Sequence, residues 1–163
     1  MNGKLLLMKH LFLTTLLILL SAFYSVKAQS IGARQILDYY ELKGLLLKHK
    51  ATVESVLSLK RFKLASTKER PESTIYAYEK ESDNTRILIR VRGRDGLVSE
   101  IAWDEKPSTL GHITHDAVYD GFVPVAGNSR YYNRFQKMAL LVNYTLAHED
   151  NVVPCILRVT ETE

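Results

Sequence analysis

The chain has 163 residues, of which 46% are hydrophobic, and it carries 22 Lys and Arg against 18 Asp and Glu. This length suits one domain with a substantial apolar core, and the single cysteine, Cys155, excludes an internal disulfide bond. Three of the basic residues lie in the leader described next, which leaves 19 basic against 18 acidic residues in the remainder. A nearly neutral domain lacks the basic surface that nucleic-acid binding requires, so we exclude nucleic acid as a partner.

Residues 1–28 have the pattern of a cleaved secretory signal peptide. Lys4 and Lys9 precede an uncharged, mostly apolar run of 16 residues, 11–26, and a small-residue cleavage sequence follows. A membrane-spanning helix needs about 20 apolar residues, and no other run in the sequence is long enough, so we expect cleavage and no transmembrane segment. The mature chain is then 29–163, exported to the periplasm of a bacterium or released from the cell.

The next segment, 30–50, is predicted to contain an amphipathic helix that packs on the rest of the domain. Ser30 suits an N-cap, and apolar residues recur at roughly helical spacing over 31–43. Gly44 follows, and its low helix propensity indicates the end of this helix or a bend in it.

Beyond this helix, a short helix followed by three strands is predicted twice, over 52–103 and over 110–160. The strand-like runs lie at 75–80, 86–92 and 97–103 in the first copy and at 130–135, 138–145 and 152–160 in the second. In each copy a turn-forming cluster joins the last two strands: Gly93–Gly96, which contains Asp-Gly, and the polar residues 148–151.

The spacing of matching residues supports the repetition. Phe62 and Phe122, which end the two helical patterns, are 60 residues apart, whereas Ile101 and Ile156 are 55 apart. We place the five-residue difference in a polar loop of the first copy, 66–73; the alternative is two unrelated stretches that both alternate. The sequence thus predicts one α+β domain, with an N-terminal helix and two helix–three-stranded antiparallel β-meander repeats that form one curved sheet or two adjoining sheets.

Alternation along the strands predicts a charged outward face in the first copy. Arg86, Arg90 and Arg92 share one side of their strand, Arg94 follows in the turn, and Glu100 is a plausible cross-strand partner. Guanidinium groups bind carboxylate, phosphate or sulfate in a fork, so this face is a candidate anion site. The alternative is a solvated face whose charges pair with one another.

The second copy is predicted to be apolar on both sides of its strands. The 55-residue offset places Leu141 and Cys155 at the outward positions, with Leu157 beside them. Either the N-terminal helix covers this side, or it is an apolar patch that receives a protein partner or a second copy of the chain.

Tyrosines add a further recognition feature, because they offer a large contact area at low entropic cost. Tyr76 and Tyr78 lie on one strand face, where they line a groove or pack in the core with the hydroxyl at the rim. The predicted binding residues are therefore Tyr76, Tyr78, Arg90, Arg92, Leu141 and Leu157.

The sequence offers little for catalysis. It contains no Gly-x-Ser-x-Gly elbow, phosphate-binding glycine loop or paired cysteine motif, and we predict no catalytic residue and no cofactor. His112, His115 and Asp116 share a helix face at helical spacing and are the weak candidates for a metal site. The alternative for these three residues is a solvated helix start with a local His–Asp pair.

The tandem helix-plus-three-strand plan over 52–160 resembles the secreted β-lactamase-inhibitor proteins and, more loosely, the small outer-membrane assembly lipoproteins of the SmpA/OmlA type. The resemblance implies a sheet face that binds protein, without catalysis. Those families commonly use paired disulfides or a lipidated cysteine, and this chain has neither. We therefore expect an exported, non-enzymatic binding or envelope-interaction protein. The alternatives are a small metal-dependent hydrolase that uses the histidine cluster and a self-associating structural envelope protein.

Overall fold

The computed structural model describes residues 37–82, 85–125, 127, 129–144 and 152–160. These residues form three α-helices and one eight-stranded antiparallel sheet, which confirms the predicted α+β class and the single sheet. The predicted signal peptide, the first residues of the predicted N-terminal helix and the turn at 148–151 lie outside the described residues. Among the described residues, no helix has the length and apolar character needed to cross a membrane.

Two of the helices are each followed by four strands. The helices are α1 (Tyr39–Leu45), α2 (Lys50–Leu59) and α3 (Pro107–Tyr119). The strands are β1 (Phe62–Arg70), β2 (Ser73–Lys80), β3 (Thr85–Arg92), β4 (Val98–Glu105), β5 (Val123–Val125), β6 (Arg130–Asn133), β7 (Met138–Val142) and β8 (Val153–Val159). Their order across the sheet is β1-β2-β3-β4-β8-β7-β6-β5, so β4 pairs with β8 at the centre and β1 and β5 form the edges.

The prediction of three strands after each helix is wrong, because α2 and α3 are each followed by four. The missed strands are the two edges, and β1 occupies much of the predicted polar loop at 66–73. Eight of the nine residues of β1 and all three of β5 are exposed. An edge strand with no buried side shows no alternation of apolar and polar residues, which is the pattern from which a strand is predicted.

The sheet has two distinct faces, which the register between strands assigns. The face that we call the helix face carries Tyr76, Tyr78, Ile87, Ile89, Ile101, Trp103, Cys155, Leu157, Leu140, Val142 and Tyr131. The helices α2 and α3 cover it: Lys50 Nζ of α2 lies 5.1 Å from the centre of the Tyr76 ring, and the Thr114 hydroxyl of α3 lies close enough to the Tyr131 phenol to act on its pKa. The buried residues of the strands lie mostly on this side, so it forms the core with Val53 and Leu57 of α2 and Ile113 of α3.

The opposite side of the sheet, which we call the outer face, carries residues of intermediate or full exposure. Its members across the central strands are Arg86, Leu88, Arg90, Arg92, Glu100, Ala102, Arg158, Ile156, Ala139 and Leu141. The prediction that Cys155 and Leu157 face outward is wrong, since both are 0% exposed on the helix face.

A β-bulge explains this error. The β3–β4 register shifts between Arg90 and Val91, so that Val98 and Ile101 of β4 both face inward. The pairings of β8 with β4 and β7 contain no such shift. The prediction assumes that Glu100 and Cys155, which are 55 residues apart, face the same way. Because of the bulge, this spacing is one residue out of register in β8, and an error of one residue moves every side chain to the other face.

Helix α1 begins with a capping box. Asp38 accepts a hydrogen bond from the Glu41 amide at 2.8 Å, and the Glu41 carboxylate accepts one from the Asp38 amide at 3.2 Å. The buried face of α1 is formed by Tyr39, Leu42 and Leu45. The helix ends at Leu45, one residue beyond Gly44, but it begins only at Tyr39. The prediction of one continuous helix over 31–43 is therefore wrong, because Leu37 and Asp38 are not helical and Asp38 supplies the N-cap.

Helix α1 is held to the C-terminal ends of both other helices. Lys43 pairs with Asp120, which follows α3, and Glu41 pairs with Lys60, which follows α2. Tyr39 adds a hydrogen bond of 2.7 Å from its hydroxyl to Asp120. Helix α1 thus lies on the same side of the sheet as α2 and α3, and it does not cover Leu141 on the outer face.

Candidate functional site

The six predicted binding residues divide between the two faces of the sheet. Arg90, Arg92 and Leu141 lie on the outer face, where they are exposed or half-buried. The other three residues, Tyr76, Tyr78 and Leu157, lie on the helix face. The sheet therefore separates the predicted set into surface residues and residues that pack beneath the helices.

The tyrosine pair belongs to the packing between α2 and the sheet. Tyr78 is 2% exposed, and its hydroxyl has no hydrogen-bond partner. Burial raises the pKa of the Tyr78 phenol, and the Glu54 carboxylate of α2 adds to the rise. Tyr76 is half-buried beneath Lys50. Tyr78 and the fully buried Leu157 consequently present no side chain at the surface.

A groove of about 870 Å³, which we call the arginine groove, lies on the outer face. Its charged lining consists of Arg90, Arg92, Arg94, Arg158, Glu72 and Glu100. Hydroxyl groups of Ser73, Ser99 and Thr160 complete the polar lining. It therefore contains three of the four arginines of the predicted anion site, Arg90, Arg92 and Arg94, and leaves Arg86 outside.

Pairing between strands brings the floor of the groove together from distant parts of the chain. Glu100 of β4 is in register with Arg90 of β3 on one side and with Arg158 of β8 on the other. Arg90 Nη2 lies 3.3 Å from the Glu100 carboxylate. In the described part of the chain, the side chain of Arg158 forms no hydrogen bond or ion pair, so its guanidinium is available to a ligand.

The rim of the groove is the hairpin turn between β3 and β4, which the Asp-Gly pair predicts. Arg92 contacts the Asp95 carboxylate through two nitrogens, at 3.2 and 2.8 Å, and Asp95 also accepts the Leu97 amide at 3.1 Å. Desolvation acts to raise the pKa of Asp95, but the Leu97 amide and the charges of Arg92 and Arg94 outweigh it and lower this pKa. Asp95 is therefore a firmly ionised partner for Arg92.

A second turn is fixed against the first. The Gly93 amide donates to the Glu72 carbonyl at 2.8 Å, which joins the β3–β4 turn to the β1–β2 turn. A Cβ on Gly93 would lie 3.3 Å from that carbonyl oxygen, so a larger residue would press the two turns apart. Gly96 closes the hairpin with a φ of +68°, a conformation that suits glycine.

An apolar row lies beside the arginine groove. Leu88, Ala102, Ile156 and Leu141 are in register across β3, β4, β8 and β7, and we call them the outer apolar row. All four are half-buried. The second half of the sheet thus has apolar side chains on its outer face, but they are Ile156 and Leu141 rather than Cys155 and Leu157. Arg130 and Arg158 share this face, so the prediction that it is apolar throughout is wrong.

The histidine cluster of α3 is a solvated helix surface. His112 is exposed, the His115 side chain is 79% exposed, and His115 Nδ1 lies 3.5 Å from the Asp116 carboxylate. Within the described residues, no group of three His, Cys, Asp or Glu side chains is placed to hold a metal ion. Cys155 is buried, and desolvation raises the pKa of its thiol to about 12, which suits a core residue and not a nucleophile.

Sequence reasoning missed Arg158, which the structure places at the floor of the groove. The signal was available in the alternation of the last strand, because Val153, Cys155 and Leu157 form an apolar set and leave Arg158 on the other side. What alternation cannot show is that β8 lies beside β4, which is the pairing that brings Arg158 to Glu100.

The described residues form an α+β unit in which helices cover one face of an antiparallel sheet and an arginine-lined groove lies on the other. Comparison of the chain with protein-family models, with curated proteins and with solved structures finds no match.

Proposed function

We propose that the protein is a non-enzymatic binding protein and that the outer face of its sheet is the binding surface. The observation that carries the proposal is the juxtaposition of the arginine groove and the outer apolar row on the face that α1, α2 and α3 leave free. Ile156 of the row and Arg158 of the groove are two residues apart on β8, which corresponds to roughly 7 Å along a strand.

This arrangement has the composition of a protein interface. Interfaces are enriched in arginine and have an apolar centre with a polar rim, and single arginine or apolar anchors carry much of the binding energy. The outer apolar row supplies the centre, and the groove supplies guanidinium groups at its border. A protein partner of the envelope fits this surface because apolar and cationic side chains lie side by side on it.

A pull-down from envelope extract tests the proposal. We expect the wild-type protein to recover at least one partner that the Arg90→Glu/Leu141→Asp variant loses. An Arg86→Glu variant is the matched control, because Arg86 lies on the same strand and face but outside the groove. Thermal unfolding of each variant checks that it is folded, and equal recovery of every partner by all three proteins would contradict the proposal.

We also propose that the protein acts after export, on the strength of the leader at 1–28. The expected product in a secreting bacterial host is a chain that begins at Gln29. Mass spectrometry of the purified protein measures this directly, and a chain that retains the leader after export would contradict it.

The finer architectural prediction, an internal repeat, remains a proposal in a corrected form: two helix-plus-four-strand units. The symmetric strand order supports it, as do matching buried residues, Val53 and Ile113 in the helices and Phe62 and Phe122 after them. Superposition of residues 50–105 on 107–159 in an experimental structure tests it. A poor fit of the four strand pairs would contradict the internal repeat.

Self-association through the sheet edges is a weaker candidate function. The β1 edge carries Lys63 and Lys68 and a β-bulge, and the three-residue β5 contains Pro124. Lysines, bulges and proline on edge strands are features that discourage pairing between molecules. Sedimentation at high protein concentration tests this, and a stable oligomer would favour it.

A further inference from the structure

We infer that the arginine groove binds a small ligand that carries at least two oxyanion groups, phosphate or carboxylate, held between Arg90 and Arg158. The inference rests on the proposed function, since it names the chemistry that this binding surface recognises. It uses a residue that the sequence does not associate with the arginines of β3, because Arg158 reaches the groove only through the pairing of β4 with β8.

The first step of the argument is the supply of hydrogen-bond donors. A guanidinium has five N–H donors, and Arg90 uses one contact, with Glu100 at 3.3 Å. Arg158 uses none within the described residues. The two arginines therefore offer forks to an incoming oxyanion, and the strand register places them on either side of Glu100.

The second step is the spacing of the charges. Arg90 and Arg158 lie two strands apart, which corresponds to about 10 Å between their Cα atoms. Arg92 lies two residues along β3 from Arg90, about 7 Å away. Cationic groups spread at this distance are better matched by two linked anionic groups than by one compact anion.

The third step is the environment of the groove. The Arg92 side chain is only 14% exposed and is oriented by Asp95, so one wall of the groove is preorganised and partly desolvated. Charge-assisted hydrogen bonds strengthen as water is removed. Hydroxyl groups of Ser73, Ser99 and Thr160 can bind the uncharged polar part of such a ligand. The lining thus favours a polar anion over an apolar molecule.

Calorimetric titration of the mature chain with pyrophosphate, citrate and inorganic phosphate tests the inference. We expect saturable binding of pyrophosphate or citrate that is tighter than binding of inorganic phosphate. The stronger of the first two probes identifies the oxyanion as phosphate or carboxylate. We expect Arg158→Gln to weaken this binding roughly tenfold or more, since a charge-assisted fork is lost.

Arg86→Gln is the matched control, because Arg86 is an outer-face arginine of β3 that does not line the groove. We expect this variant to keep the wild-type affinity within about twofold. Both arginines are exposed, so neither substitution threatens folding, and circular dichroism verifies this.

Two results overturn the inference: no saturable binding of either polyanion, or equal weakening by Arg86→Gln and Arg158→Gln, which indicates attraction to net charge alone. The pull-down with the Arg90→Glu/Leu141→Asp variant is independent of both. If partner recovery depends on the outer face while neither anion binds, the ligand chemistry is refuted and the proposed function stands.

Discussion

The two halves of the domain share a plan but differ in what they present to a partner. The first half, α2 with β1–β4, has strands of nine, eight, eight and eight residues, whereas the second half, α3 with β5–β8, has strands of three, four, five and seven. Each half buries a tyrosine on the helix face, Tyr78 in the first half and Tyr131 in the second. The outer face of the first half carries paired charges such as Arg90 with Glu100, whereas that of the second half combines the apolar Leu141 and Ile156 with Arg158.

The comparison shows which positions the fold constrains. Side chains on the helix face must fill the space beneath α2 and α3, so both halves keep large apolar residues there. Outer-face positions have no such requirement, and Arg90 and Glu100 in one half contrast with Leu141 and Ile156 in the other.

The largest expected effect comes from breaking the helix face. Leu157→Ala removes a fully buried side chain, and we expect a loss of about 2–5 kcal/mol in the free energy of unfolding. Leu141→Ala, in the neighbouring strand but on the outer face, should lose about 1 kcal/mol or less, because its side chain is only half-buried. Urea unfolding of both variants measures the difference, and equal losses would contradict the assignment of faces.

The next effect concerns the attachment of α1 to each half. Asp120→Asn removes the charged partner of Lys43 and the carboxylate that accepts a hydrogen bond from Tyr39. Because the side chains of Lys43 and Asp120 are only 22% and 16% exposed, we expect a loss of about 1–3 kcal/mol in the free energy of unfolding. Lys60→Gln breaks the corresponding pair with Glu41, which is 40% and 37% exposed, and should cost under about 1 kcal/mol. Urea unfolding measures both losses of stability, and a larger loss for Lys60→Gln than for Asp120→Asn would contradict this prediction.

The Asp120 contribution should depend on pH. Desolvation acts to raise the pKa of Asp120, but hydrogen bonds from Lys43 and Tyr39 outweigh it and hold this pKa below the ordinary aspartate value. The stabilisation is therefore complete above the unfolded-state pKa and is lost as the pH falls through the lower folded-state pKa. The stability gap between wild type and Asp120→Asn should narrow on acidification, and a constant gap across the acidic range would count against this.

The smallest effect distinguishes the two buried tyrosines. The Tyr78 hydroxyl has no hydrogen-bond partner, whereas the Thr114 hydroxyl lies close enough to the Tyr131 phenol to oppose the rise that burial causes in its pKa. Tyr78→Phe should leave stability unchanged or raise it by up to about 1 kcal/mol, and Tyr131→Phe should lower it by about 0.5–1.5 kcal/mol. Thermal unfolding resolves these differences, and a clear loss for Tyr78→Phe would mean that its hydroxyl is satisfied in solution.

Part of the candidate site was predictable from alternation alone. Arg90 and Arg92 were assigned to one strand face and Leu141 to an apolar outward position, and the structure places all three on the outer face. Tyr78 was ambiguous because tyrosine suits both surface and core, and packing beneath α2 decided for the core. Cys155 and Leu157 were misassigned because a bulge in β4, which leaves no mark in the residue pattern, has no counterpart in β8.

The amino-acid sequence by itself determined the class of fold and the hairpin at Gly93–Gly96, because helical and strand periodicity and turn chemistry are local properties. Only the tertiary structure decided that the exposed segments Phe62–Arg70 and Val123–Val125 are edge strands and that β8 pairs with β4. The second decision brings Arg158 to Arg90. Pairing between strands far apart in the chain depends on how all the apolar faces are buried together, and no local pattern contains that information.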